Sequence, residues 1–252
     1  MPIPSRPLLI AHRGDPSRGP ENTLAGVRLA LEAEPDFIEV DVHLSADGQV
    51  VVIHDDTLER TTTGAGKVSR HTLQELRQLE AGGWYGPAFL GEPIPTLAEV
   101  WQAAGDRSRL AVELKGEGTG AVVARWARRL PSAVPAFVSF REEELRALKR
   151  EFPKAELKLL SAQPLGNAGQ PAALCAQAVE LGCAGVSVYG AACPPEAIER
   201  VHGSGLEVWV WTINDPAEWE VFIRAGVDGI TTDTPLELHR FLVEHRLRVE
   251  GA

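Results

Sequence analysis

Along the 252 residues, short apolar runs rich in β-branched side chains alternate with stretches whose apolar positions recur every three or four residues. That alternation is the signature of a parallel α/β fold. The β-type runs fall at Leu8–His12, Phe37–Asp41, Leu110–Lys115, Ala136–Phe140, Glu156–Leu160, Gly185–Tyr189, Glu207–Ile213 and Gly229–Thr232, eight in all. Helices are expected to start near Thr23, Thr119, Glu142, Pro171, Pro195, Asp215 and Pro235. Leu24, Val27 and Leu31 give the first of them a buried stripe, and Asp215-Pro216-Ala217-Glu218 joins capping-box chemistry to a proline at the first helical position. Eight strands with helices between them predict a (β/α)8 TIM barrel. An open doubly wound sheet has the same alternation, because counting strands does not prove closure.

Val50-Val51-Val52-Ile53 breaks the pattern: it reads as a strand, yet only Ala46-Asp47-Gly48-Gln49 separates it from the strand ending at Asp41. Parallel neighbours need a crossover of a dozen or more residues, whereas Asp-Gly in a short loop is a hairpin signal. The second strand is therefore expected to extend and fold back as a β-hairpin. Pairing Ser45 with Val50 across this turn places His54 opposite Asp41. From Asp56 to about Ser108 the chain makes an excursion with capping boxes at Thr72-x-x-Glu75 and Thr96-x-x-Glu99 around a Gly-rich stretch, Gly82 to Gly91, read as a small insertion at about 56–108. Residues 1–252 read as a single domain, since barrels of this length form one unit.

Composition narrows the class of partner. A formal net charge of −10 disfavours nucleic acid and anionic membrane surfaces, and no apolar run is long enough to cross a bilayer. An anionic substrate would thus need local positive charge. The amino terminus enters an apolar strand at Leu8 without the features of a signal peptide, so a cytoplasmic protein is expected. Cys175, Cys183 and Cys193 are odd in number and form no C-x-x-C pair, which predicts reduced, structural thiols.

In such barrels chemistry sits at the carboxyl ends of the strands. The first run ends in His12-Arg13-Gly14, the second in Glu39-Val40-Asp41 and the third in Glu113-Leu114-Lys115, with the hairpin adding His54-Asp55. Glu39 and Asp41 are two apart on a strand and share a face, which in a barrel points to the mouth or to the helix layer. Like charges gathered there, with Glu113 as a third, are costly unless a cation or positive side chains compensate. All-oxygen ligands suit a hard divalent ion, Mg²⁺ or Ca²⁺, with Mn²⁺ as a further option; the alternative is a structural network with Arg13 and Lys115. His12 and His54 are natural proton carriers, because imidazole titrates near neutrality; the alternative for either one alone is a hydrogen-bonded structural residue. Arg13 and Lys115 can supply charge to a phosphate. Trp209 and Trp211 share a strand face and either line a substrate wall or fill the core.

Taken in order, His12-Arg13-Gly14, Pro20-Glu21-Asn22-Thr23, Ile38-Glu39-Val40-Asp41, His54-Asp55 and Val112-Glu113-Leu114-Lys115 resemble the glycerophosphodiester phosphodiesterase family. The likeness continues through Leu58-Glu59-Arg60-Thr61-Thr62, Ile94-Pro95-Thr96-Leu97, Val210-Trp211-Thr212-Ile213-Asn214 and Gly226-Val227-Asp228-Gly229-Ile230 to Thr232-Asp233-x-Pro235. It implies a barrel with a short insertion, one divalent cation held by Glu39, Asp41 and Glu113, and acid-base catalysis by His12 and His54. Arg13 and Lys115 match its phosphate-contacting positions, and Trp211 matches a substrate-pocket aromatic. The implied substrates are small glycerophosphodiesters such as glycerophosphocholine and glycerophosphoethanolamine, hydrolysed to glycerol 3-phosphate and an alcohol after attack by the substrate's own glycerol hydroxyl. A lysophospholipase D acting on lysophospholipids and, more remotely, a non-catalytic barrel binding a phosphorylated ligand are the competing readings. The head group, the ion, the oligomeric state and the order in which the histidines act stay open on the sequence.

Overall fold

The computed structural model describes residues 6–167 and 169–245. Its strands are β1 (Leu8–Ala11), β2 (Phe37–Leu44), β3 (Val50–Val52), β4 (Arg109–Leu114), β5 (Ala136–Ser139), β6 (Glu156–Ser161), β7 (Gly185–Tyr189), β8 (Glu207–Trp211) and β9 (Gly229–Thr232). All but β3 run parallel in one ring. β1 pairs with β2 on one side (Ile10 beside Phe37) and with β9 on the other (Leu8 beside Gly229), so the sheet closes and the open doubly wound alternative falls away.

Closure follows from how apolar residues are divided between two faces. Ile10, Phe37, Ala111, Ala136, Val138, Leu160 and Trp209 pack against one another inside the ring. Their chain neighbours, among them Leu9, Ile38, Val40, Leu110 and Val112, face the helices, so most strand positions are apolar on both faces. The end of the barrel away from the strand carboxyl termini is closed by charge and ring together. Lys158, fully buried, places Nζ 2.6 Å from Glu207 Oε2 and 4.3 Å from the Trp209 ring centroid. Trp209 is thereby a floor residue, leaving the mouth at the carboxyl ends for chemistry.

The helices are α1 (Leu24–Ala30), α2 (Leu73–Leu76), α3 (Leu97–Ala104), α4 (Thr119–Ala127), α5 (Glu142–Glu151), α6 (Gly169–Glu180), α7 (Pro195–His202), α8 (Pro216–Arg224) and α9 (Pro235–Glu244). The expected starts hold at the capping level. Thr23 accepts from the Gly26 N–H, both Thr-x-x-Glu boxes are closed at α2 and α3, and Asp215 caps α8 with Pro216 following. One cap had no local signal. The N-cap of α4 is Gly118, which has no side chain to offer, and the buried Glu144 of α5 accepts from the Gly118 and Gly120 N–H groups at 2.8 and 2.7 Å. Gly120 is required for this approach, since a Cβ there would lie 2.2 Å from the Glu144 carbonyl oxygen. Glu144→Ala orphans two amides and is expected to cost about 2–4 kcal/mol, read as a fall in Tm of roughly 5–15 °C in thermal unfolding. An unchanged Tm would remove Glu144 from this role.

Two expectations need correction. The hairpin register is shifted by one residue: Leu44, not Ser45, lies opposite Val50, and Ile53, not His54, lies opposite Asp41, donating its N–H to the Asp41 carbonyl at 3.0 Å. The cause is Gly48, whose φ of +77° lets its N–H close on the Ser45 carbonyl at 2.9 Å. Ser45 then pairs with Gln49, and the loop has three residues rather than four. Because successive side chains point to opposite faces, the slip decides what enters the site. Ile53 joins a small core with Val51, Leu58, Val68, Leu76, Ala81 and Ile94, and His54 is delivered to the barrel mouth.

The insertion also ends earlier than 108. α3 packs against α1 and β4 and belongs to the helix layer of the barrel, so the excursion closes where Pro95 accepts from the Val52 N–H at 2.8 Å. The three cysteines are buried free thiols, with burial pushing Cys183 and Cys193 up to about 11. Among the described residues no helix is long and apolar enough to cross a membrane.

Candidate active site

β2 and β4 run in register with Asp41 beside Glu113, so Glu39, Asp41 and Glu113 all point into the mouth. One carboxylate oxygen from each lies within 4.8 Å of the other two. Glu39 and Asp41 are buried, and Glu113 is nearly so. Two cations face them. Lys115 Nζ lies 3.2 Å from Glu113 Oε1 and 3.5 Å from Asp41 Oδ1, and Arg13 Nε lies 3.4 Å from Asp41 Oδ2. The Arg13 backbone N–H also donates to Glu39 Oε2 at 2.9 Å.

Two cations do not let all three acids ionise with ease. Burial opposes ionisation of Asp41, but Lys115, Arg13, His54 and a hydrogen bond from Asn22 override it and hold the group at about 2. Burial, with the Asp41 charge beside it, lifts Glu113 to about 7, and burial plus the Asp41 and Glu113 charges raise Glu39 well above the usual carboxylate range. The site is therefore short of positive charge. An all-oxygen, buried, cation-deficient cluster is a donor set that fits one hard divalent ion.

Both histidines reach the same cavity. His12 follows β1, and its Nδ1 lies 2.6 Å from Asp233 Oδ1 just beyond β9. Asn214 fixes that acid by donating from Nδ2 to Asp233 Oδ2 at 2.8 Å while its Oδ1 accepts from the Asp233 N–H. His54 Nδ1 lies 2.6 Å from Asp55 Oδ1, and Nε2 lies 3.0 Å from Lys115 Nζ. Burial lowers the His54 pKa, with Arg13 and Lys115 acting in the same direction against Asp41 and Asp55. Arg60 hydrogen-bonds both Asp55 oxygens and both Glu21 oxygens, and Glu21 accepts from Arg13. The insertion thereby ties the His54 loop to the loop after β1.

His12, Arg13, Glu39, His54, Glu113, Lys115 and Trp211 line one cavity of about 120 Å³, and the buried Asp41 contacts Arg13 and Lys115 among them. Asn22, Glu21, Asp55, Arg60, Asn214 and Asp233 were quoted in the sequence motifs without a role, and the contacts supply one for each. Asn22 holds Asp41 from both sides, donating to Oδ2 at 2.8 Å and accepting from the Asp41 N–H at 3.2 Å. The available signal was polar residues immediately following an apolar strand, as at Thr232-Asp233. The cavity is polar on the β1–β2–β4 side and apolar on the other, where Val138, Leu160 and Trp211 line it.

Residues 12–237 match the Glycerophosphoryl diester phosphodiesterase family. A glycerophosphodiester phosphodiesterase of Caldanaerobacter subterraneus is 37% identical over 238 residues, spanning 90% of this chain and 94% of the relative. An Oleispira antarctica phosphodiesterase, solved in complex with the product sn-glycerol-3-phosphate, superposes with a TM-score of 0.86 at 31% identity, covering 94% of this chain and 97% of the other. The glycerophosphodiester phosphodiesterase of Agrobacterium tumefaciens gives a TM-score of 0.82 at 32% identity, over 93% and 100% of the two chains.

Proposed function

Since the chain belongs to the glycerophosphoryl diester phosphodiesterase family, we propose that it hydrolyses glycerophosphodiesters to glycerol 3-phosphate and an alcohol, with His12 and His54 as the acid-base pair and a divalent cation held by Glu39, Asp41 and Glu113. The observation that carries this reading is the meeting of two carboxylate-oriented imidazoles and three mutually close carboxylates at one cavity. A binding module has no use for both.

The glycerol hydroxyl next to the phosphate attacks phosphorus as one imidazole takes its proton. The bond to the leaving oxygen breaks as the other imidazole supplies a proton, and water then opens the cyclic phosphate through the same pair. Asp233 and Asp55, each 2.6 Å from an Nδ1, orient the two rings. Arg13 and Lys115, held by the carboxylates, present donors to the phosphoryl oxygens. When bound, the cation supplies Lewis-acid stabilisation of charge on the reacting oxygens. Mg²⁺ and Ca²⁺ both suit the oxygen-only ligands, and Mn²⁺ is tested beside them. Trp211 closes the apolar side of the pocket.

The test is release of glycerol 3-phosphate from a glycerophosphodiester panel after chelation and after return of Mg²⁺, Ca²⁺ or Mn²⁺. Release that vanishes with the chelator and returns with an ion is expected. Release that persists undiminished after exhaustive chelation sinks the cation, and no release under any condition sinks the reaction.

A further inference from the structure

The apolar side of the mouth carries a feature that the hydrolytic chemistry does not use. Phe140, directly after β5, and Tyr189, the last residue of β7, are 47% and 43% exposed although both are large aromatics. Both pack on Trp211 at the end of β8. The Phe140 and Trp211 ring centroids are 5.7 Å apart with planes at 89°, and those of Tyr189 and Trp211 are 5.2 Å apart at 43°. Rings from three strands thus form an open corner on the rim, across the cavity from the carboxylates and the histidines, with Trp211 and Phe140 also lining the cavity itself.

We propose that this corner is the subsite for a quaternary ammonium leaving group, and that Phe140 and Tyr189 make the enzyme selective for choline-type esters. The inference rests on the phosphodiesterase reading above and deepens it. Three physical points converge. First, the glycerol hydroxyls need hydrogen-bond partners, which are concentrated on the β1–β2–β4 side, whereas on the other side Val138, Phe140 and Leu160 offer none, leaving the Ser187 hydroxyl and the buried Trp211 Nε1–H. The leaving group is what remains for it. Secondly, a trimethylammonium has charge but no N–H to satisfy, so it loses little by leaving water for aromatic faces, whose quadrupoles attract cations. A primary ammonium demands partners for its three donors, and a neutral polyol gains nothing from the ring faces. Thirdly, among the described residues no cation sits over these faces. Arg141, adjacent in sequence to Phe140, is paired with Glu143 and lines a different cavity, and Lys158 lies on the floor against Trp209.

The decisive measurement compares kcat/KM for glycerophosphocholine, glycerophosphoethanolamine and glycerophosphoglycerol in the unsubstituted enzyme and in Phe140→Leu and Tyr189→Leu, which keep apolar bulk but remove the ring. The unsubstituted enzyme is expected to prefer the choline ester. Each substitution is expected to lower the choline-to-glycerol preference ratio by about 3- to 30-fold. Tetramethylammonium is expected to compete with glycerophosphocholine, less effectively in the two variants. Both residues are on the rim, and two independent variants guard against a folding defect in one. A ratio that stays within about twofold in both variants, or a starting preference for the neutral ester, overturns the subsite while leaving the phosphodiesterase reading intact. Absence of hydrolysis of all three esters by the unsubstituted enzyme fails the reading on which it rests.

Discussion

Replacing His12 or His54 with alanine is expected to lower kcat by roughly a hundredfold or more, with the fold retained. Each ring is held through Nδ1 by a carboxylate at 2.6 Å, and the Nε2 edge of His54 meets Lys115 Nζ at 3.0 Å. Neither carboxylate is orphaned by the truncation. Asp233 keeps its bond from Asn214 at 2.8 Å, and Asp55 keeps Arg60, whose hydrogen bonds hold it well below the usual carboxylate range. The loss is therefore expected in turnover, with Tm within a few degrees of the starting enzyme. Groups that serve one proton relay do not add independently, so the double variant should fall far short of the product of the two single losses. Steady-state kinetics beside circular-dichroism melting checks this. A single variant that keeps near-full kcat has no place in the proton relay.

Gly14→Ala is the second large effect, and it acts through the backbone. Gly14 has a φ of +91°, where an L side chain is strained. A Cβ there would lie 2.7 Å from the Gly26 carbonyl carbon and 2.9 Å from its oxygen, in the first turn of α1. Backbone cannot swing away as a flexible side chain can. Relief requires parting the His12-Arg13-Gly14 loop from α1, and the same loop supplies the Arg13 N–H to Glu39 and positions Asn22 against Asp41. Strain and lost packing together are expected to cost about 3 kcal/mol or more, a fall in Tm of roughly 6–12 °C. Misplacement of His12 and Arg13 should lower kcat/KM by about a hundredfold even at temperatures where the protein is folded. A folded variant with unimpaired kcat/KM would mean that the loop does not need this close approach.

Several elements were legible because their cause is local. The strands of the barrel were read within a residue or two from their apolar runs, except β2, which runs three residues past Asp41 into the hairpin, and the Thr72, Thr96 and Asp215 caps from side chains three or fewer positions from the amides they bind. The carboxylate cluster was half legible. Glu39 and Asp41 must share a face because a strand alternates, but Glu113 joins them only through the β2–β4 register, which sequence spacing does not carry. The hairpin was legible as a turn and wrong by one residue, since both loop lengths satisfy the Asp-Gly signal and the left-handed Gly48 selects one. α3 was read into the insertion because its capping box says where a helix begins, not what it packs against.

What the sequence determined alone is whatever a side chain does to its own neighbourhood: alternation on strands, stripes on helices, caps, the turn at Gly48, and the presence of two histidines and three carboxylates after apolar strands. Only the tertiary structure decided which of these meet. Closure of β9 onto β1 brings Asp233 to His12, the insertion brings Arg60 to Asp55 and Glu21, and β5, β7 and β8 bring Phe140 and Tyr189 to Trp211. Apart from Arg60 and Asp55, five positions apart, these partners are separated by tens to hundreds of positions along the chain. Their encounter depends on strand order, register and curvature, which are collective outcomes of burying one apolar surface against another and are written in no single segment.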